Sequence, residues 1–420
     1  MVQTLKETLA RIHTIKKVPI SFRDKYPWKT TYASHGIYYY PSRFIPHVVR
    51  FFIDKYTKEG DWILDPFGGS GTVCVEALMT NRNAICLDIN PVSPHIIKAK
   101  IYLPKERFED EFPNIRIYEE LDNAEEFQPR WSRIDEWYPQ EFLGILRKMW
   151  WIYNENPHPL VLIALFKTSR KFSLTDDQIP KTFRSKIKRA WINKILERTT
   201  NYEQFILDFF KKTLMNIHKA SVDFMGLYRG GQCKINDGRD YVDVVNYKLK
   251  EQVSSILTSP PYGMAHEYIR SFKLELAWLG YDDEQIRQLS KLEIPYRPEN
   301  TIPPIDIQSE TYELYREHIE RIRPDLVKVY DKYFASVLGV FERLGDNVSD
   351  YMGIFVGNAS FAGIKPPYDE IFIEHLENLG FRHEITYVDT IKARKLFKNR
   401  NNLVPNGIET ESLIILKSKQ

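Results

Sequence analysis

The chain has 420 residues, 43% of them apolar and 14% aromatic, with 59 basic against 56 acidic side chains and a net charge of +3. Such a length and apolar share can build a large core and two domains, and no repeat or low-complexity stretch interrupts it. No apolar run approaches the about 20 residues of a membrane span and the start carries no signal-like stretch, so a soluble cytoplasmic protein is expected.

Leu5, Leu9 and Ile12 predict a short amphipathic helix. Further on, Trp62-Ile63-Leu64 after Gly60-Asp61 has the pattern of a buried strand leaving a turn. It runs into Asp65-Pro66-Phe67-Gly68-Gly69-Ser70-Gly71-Thr72. The three glycines let the backbone turn sharply and approach a ligand. Val73, Ala77 and Leu78 then predict a helix starting near Ser70 or Gly71, its first N–H groups turned to a ligand carboxylate. Ala84-Ile85-Cys86-Leu87 reads as a second strand ending at Asp88, 23 residues after Asp65. In a Rossmann-like sheet an acid about 20 residues past the glycines holds ribose hydroxyls. The loop departs from G-x-G-x-x-G, which weakens a dinucleotide reading. By itself it is better read as an ordinary turn, with Asp88 capping the next helix.

Residues 105–232 break the strand–helix alternation. Trp131–Tyr153 is aromatic-rich, Leu160–Phe166 is a buried helix or strand, and 183–225 has long helical periodicity through Ile187, Trp191, Ile195 and Phe210. We read a mostly helical insert between the second and third strands of the sheet. Its stretch Lys167–Arg198 holds ten lysines and arginines against Asp176, Asp177 and Glu197, whereas 106–126 is acidic. A basic patch on a chain of low net charge suits phosphate-backbone binding, and a solvated helical face is the plainer alternative. Arg170, Lys171, Arg184, Lys186, Lys188 and Arg189 are the candidate contacts.

Beyond the insert, Ser255-Ile256-Leu257 stops at Thr258-Ser259-Pro260-Pro261-Tyr262. Two prolines cannot continue a ladder and stiffen the chain just past the strand end, where open α/β sheets bind ligands. Ala265–Leu279 reads as a helix carrying Tyr268 and Arg270 near that turn. Residues 293–311, with four prolines, read as a loop, and Phe397–Asn406 as another, basic one.

The two loops together carry a resemblance. Asp65–Thr72 resembles motif I of the amino-methylating DNA methyltransferases, and Ser259-Pro260-Pro261-Tyr262 resembles their motif IV in the serine form typical of N4-cytosine enzymes. His35–Pro46 (HGIYYYPSRFIP) is similar to the segment that closes over the methionine part of S-adenosylmethionine (SAM) in that family. Asn236-Asp237-Gly238 is similar to the turn near the cofactor adenine, and Gly353–Asn358 and Glu411–Leu416 to the last strands of the sheet. The similarity covers roughly 35–100 and 233–420, with the cofactor motif ahead of the catalytic one, a permuted order.

The resemblance implies a Rossmann-like class I SAM-dependent sheet, with 1–104 and 233–420 forming the catalytic domain and 105–232 the recognition insert. It implies cofactor contacts from Phe44, Asp65, Phe67, Gly68, Gly69, Ser70, Gly71, Thr72, Asp88, Asn90, Asp237 and Ser259. Catalysis would fall to Ser259, Pro260, Pro261 and Tyr262, the tyrosine stacking on a base moved out of its duplex. The implied reaction is methylation of cytosine N4 in DNA, as in restriction–modification. N4-cytidine methylation of RNA and N6-adenine methylation remain alternatives, and a non-catalytic nucleic-acid binder is a rival from another class.

The three cysteines, Cys74, Cys86 and Cys233, are not placed for C5 methylation, which needs a thiolate nucleophile. Cys74 and Cys86 read as core fillers. With no C-x-x-C pair, neither a structural zinc nor a disulfide framework is expected.

Overall fold

The computed structural model describes residues 15–112, 117, 120–177, 182–263, 267–361, 363–391 and 408–419. The amphipathic start and the Phe397–Asn406 loop lie outside them. Among the described residues eight strands form one mixed sheet: β1 (Lys17–Ile20), β2 (Trp62–Asp65), β3 (Asn83–Cys86), β4 (Cys233–Ile235), β5 (Val253–Thr258), β6 (Val348–Gly357), β7 (Phe381–Thr390) and β8 (Thr410–Ser418). Their order is β1-β7-β8-β6-β5-β2-β3-β4. Only β8 runs against its neighbours, β6 and β7. This is the α/β fold expected from the sequence.

Alternation along the strands explains why both faces are covered. Ile63, Leu257 and Phe355 pack with Val48, Val49, Phe52 and Ile53 of the helix Pro46–Tyr56. Leu64, Ile256 and Ile354 point the other way, into a core shared with Tyr330, Phe334 and Phe341 of the helix Val327–Gly345. Order reverses between β2 and β5, which pair in parallel at Ile63 with Ser255 and Leu64 with Ile256. The carboxyl ends of these two strands are therefore adjacent, and the crevice at such a switch point is where ligands bind in open sheets.

The chain between β3 and β4 is helical, with Gln140–Glu155, Pro159–Phe172, Lys186–Arg198 and Tyr202–Leu227 as its long members. The run Leu160–Phe166 falls within the second. These helices share an apolar core with Val92, Ile96, Phe272 and Trp278 of the flanking chain. Trp150 stacks on Trp278 at 5.4 Å and 9°, and both are almost wholly buried. Full burial of a large apolar side chain contributes about 1.5–3 kcal/mol.

Two expectations need correcting. The helix expected over Ala265–Leu279 is two short pieces, Tyr268–Ser271 and Lys273–Trp278, which meet at Phe272 (φ −111°). Cys74 and Cys86 are buried in one apolar cluster, as core fillers would be, but the absence of a disulfide was not borne out. A Cys74–Cys233 disulfide ties the helix Thr72–Leu78 to β4 across 159 residues of sequence, and the Cys86 sulfur lies 2.8 Å from that of Cys74. The pairing left no spacing signal because the insert separates the partners.

Candidate active site

The glycine loop emerges from β2 and is held from several sides. Gly68 N–H donates to the Leu87 carbonyl at 2.8 Å, and Gly71 N–H to the Gly68 carbonyl at 2.7 Å. Ser93 donates to the Gly69 carbonyl, and Lys100 Nζ to the Ser70 carbonyl at 2.8 Å. Lys100 is fully buried, and burial holds its ammonium well below the ordinary range. Gly71 has φ +72°, and a Cβ there would sit 2.5 Å from Ile97 Cγ1. No other residue fits that position without movement.

Asp88 closes the far end of the loop. Its carboxylate accepts from Gly69 N–H at 2.6 Å and Asn90 N–H at 2.7 Å, and its own N–H donates to Asn236 Oδ1 at 2.8 Å. Burial raises its pKa to about 6 despite those bonds. Asp65 does not reach the pocket. It accepts from Thr258 Oγ1 at 2.6 Å and Phe67 N–H at 3.2 Å, and burial pushes its carboxyl up to about 7. It joins the two loops at their roots.

The segment before β2 forms a wall. Glu76, wholly buried, accepts from Tyr32, faces His35 Nε2 at 2.7 Å and accepts from Arg50 at 2.7 Å. Burial lowers the His35 pKa to about 4, so the ring is neutral. Anchored there, the chain passes Tyr40, Ser42, Arg43 and Phe44 along the pocket. Phe44 stacks on Phe355 at 5.5 Å, and its carbonyl accepts from Thr72 at 3.2 Å.

One pocket gathers the residues foreseen as Phe44, Phe67, Gly68, Gly69, Ser70, Thr72, Asp88, Ser259, Pro261 and Tyr268. Gly71, Asn90 and Pro260 flank it without lining it. Tyr262 donates its hydroxyl to Glu411 Oε1 at 2.7 Å and packs against Gly357. Asp237 is turned away, accepting from Tyr247 and from Arg239 at 3.4 Å. Asp243, Val244 and Val245 line the pocket in its place.

Glu293 and Arg297 were not foreseen because their segment reads as a proline-rich loop. Glu293 accepts from Ile269 N–H at 2.9 Å, and burial raises its pKa to about 7. Arg297, wholly buried, makes two 2.8 Å bonds to Asp243. That ion pair fastens the segment over the pocket, an arrangement visible only once chain 54 residues apart is brought together.

The basic residues are divided in their roles. Arg170 pairs with Glu275 at 3.0 Å, a carboxylate that also accepts from Tyr38 at 2.7 Å. Lys188, 4% exposed, pairs with Asp177 at 2.7 Å, and Lys171 reaches the same carboxylate at 3.3 Å. Both ammonium groups sit over the Trp191 ring. Arg184 lies 3.5 Å from Glu136, and Arg270 pairs with Glu267 at 3.0 Å. Lys186 and Arg189 are exposed.

The pocket's donor set suits one kind of ligand. Asp88 and Glu293 offer acceptors to a pair of hydroxyls, and Ile89, Val244, Val245 and Ile294 offer an apolar lining to a flat ring. Tyr40 and Phe44 present aromatic carbon to a cationic centre. These are the parts of an adenosyl amino acid.

Comparison with known proteins agrees with this geometry. A family model described as DNA methylase matches residues 11–99. The chain is 24% identical to the Type II methyltransferase M.BsoBI of Geobacillus stearothermophilus, over 94% of this chain and 87% of that one. It is 24% identical to the Type II methyltransferase M.MvaI of Kocuria varians, over 93% and 92%. A shorter match, 40% identical over 67 residues, is to the Type II methyltransferase M.MjaII of Methanocaldococcus jannaschii and covers 16% of this chain and 13% of that one.

Proposed function

The chain belongs to the N4/N6 DNA methyltransferase family and uses S-adenosylmethionine, and from that premise we propose that it methylates the N4 amine of cytosine in DNA as the modifying half of a restriction–modification pair. The observation that carries the proposal is Ser259: it lines the cofactor pocket at the end of β5, beside the glycine loop of β2.

Bound S-adenosylmethionine supplies a methyl group made electrophilic by its sulfonium. The protein's part is to hold a weak nucleophile in line with it. Cytosine N4 has its lone pair delocalised into the ring, and hydrogen bonds from the amine to Ser259 Oγ and the Pro260 carbonyl favour a pyramidal nitrogen. Pro260 and Pro261 keep those acceptors still, so the gain is in positioning and preorganised dipoles. The Glu411 bond fixes the Tyr262 ring, on which an extruded base would stack. The amine proton leaves to solvent during or after transfer, so a serine serves where a strong base is not needed. The helices of 105–232 would carry recognition of the target. Among the described residues no helix is long and apolar enough to cross a membrane.

The test is transfer from isotope-labelled S-adenosylmethionine to matched DNA and RNA pools, followed by nucleoside mass spectrometry. Label in N4-methyldeoxycytidine is the expected result. Label in N6-methyldeoxyadenosine would reassign the base, and label in N4-methylcytidine the polymer.

A further inference from the structure

A second cavity, of about 610 Å³, opens between residues 30–46 and the helix Pro159–Phe172, and shares Tyr40 and Arg43 with the cofactor pocket. Five cations line it, and their pairings differ. Arg170 is matched by Glu275 and Lys171 by Asp177, and Arg23 feels the charge of Glu411. Arg43 donates to the His35 carbonyl and, at 3.0 Å, to that of Thr30. Lys167 donates to the Ile37 carbonyl at 3.2 Å. Among the described residues neither of these two meets a carboxylate.

Both side chains are largely withdrawn from water, and burial lowers both pKa values. A desolvated cation satisfied by carbonyls alone carries a cost that an incoming anion would offset. At the same cavity Tyr39 keeps 54% of its surface exposed, an aromatic face within reach of whatever enters. Because the cavity adjoins the pocket through Tyr40 and Arg43, a chain lying in it could turn one unit into the pocket.

We propose that this cleft carries the phosphodiester backbone of the strand that delivers the target base, with Lys167 and Arg43 each facing a phosphate. The inference rests on the nucleic-acid methylation reading and moves the backbone contact away from the paired residues Arg170 and Lys188. The other anion to consider is the carboxylate of the cofactor, and the test separates the two.

Full-length Lys167→Gln is compared with wild type for binding to a DNA duplex and to RNA of the same sequence, each across a salt series. S-adenosylmethionine affinity is measured in parallel by calorimetry. Loss of one phosphate contact lowers the slope of log K against log[salt] by about 1 and weakens binding roughly 3- to 10-fold near physiological salt, whatever the sequence. Cofactor affinity stays at the wild-type value, and Lys167→Arg restores the slope. A loss seen with DNA or with RNA supports the cleft and identifies the polymer. An unchanged slope in Lys167→Gln, in a wild type that methylates DNA, overturns the cleft alone. A weakened cofactor with an unchanged slope overturns it in favour of the cofactor carboxylate. A wild type that neither binds nor methylates any polynucleotide overturns the cleft and the activity together.

Discussion

Thr258 donates its hydroxyl to Asp65 across 2.6 Å, joining the last residue of β5 to the last residue of β2. Each of the two side chains stands at the root of one functional loop, so their bond fixes how the loops meet. Thr258→Val keeps the shape and leaves a buried carboxyl one donor short. Such a loss costs about 1–3 kcal/mol, to be read from the urea midpoint. Asp65 already has its pKa raised to about 7 by burial. With the folded value above the unfolded one, its contribution is fully present below about pH 4 and lost as pH rises through about 7. Asp65→Asn should flatten that part of the stability profile.

Gly71→Ala tests the loop more harshly. The new Cβ would lie 2.5 Å from Ile97 Cγ1, and φ is +72°. Overpacking costs about 1–3 kcal/mol and the left-handed backbone about 1–2 kcal/mol more. The expected outcome is a lower melting temperature and weaker cofactor binding by calorimetry. Adding Ile97→Ala should recover the steric share and leave the backbone share.

Much of this site was legible beforehand because its signals are local. Gly68, Gly69 and Gly71, the Asp88 spacing and the Pro260-Pro261 stop each sit within a few residues of a strand end, where backbone chemistry limits what a sequence can do. What was missed depends on distant pairing. Glu293 and Arg297 matter because Arg297 meets Asp243, and Arg170 is tied down because Glu275 lies beneath it. β1 and β7, paired with each other in parallel, were also missed as members of the sheet. A charge run predicts a basic surface only where no acid from elsewhere neutralises it.

A hold of Asp88 on the cofactor ribose predicts a pH dependence of cofactor binding. Burial raises its pKa to about 6, and the ionised form is the better acceptor for a ribose hydroxyl. Affinity for S-adenosylmethionine should therefore rise between about pH 5 and pH 7. Asp88→Asn should remove the part of the dependence centred near pH 6, leave the part set by Glu293 near pH 7, and weaken binding at pH 7.5. Equal pH profiles for the two proteins would exclude this role.

The Cys74–Cys233 bond closes a loop of 159 residues. For a loop of this length the chain-entropy account gives about 5 kcal/mol. Cys233→Ser, or reduction of the wild type, should lower stability by that order. Thiol titration of the unfolded, unreduced chain should find Cys86 alone free. Three free thiols, with no response to reductant, would exclude the bond in solution.

Tyr262 separates the ring from its tether. The hydroxyl bond to Glu411 orients the side chain, and the ring is the surface proposed above for stacking on an extruded base. Tyr262→Phe loses the tether and keeps the ring, so a modest fall in kcat with little change in binding is expected. Tyr262→Ala removes the stacking surface, and base–aromatic stacking is worth about 1–3 kcal/mol. Its kcat/KM for nucleic acid should therefore drop on the order of 5- to 150-fold, and part of that loss should vanish on a duplex with a mismatch at the target, where extrusion is cheaper. Equal losses for the two variants would place the role in the Glu411 bond and not in stacking.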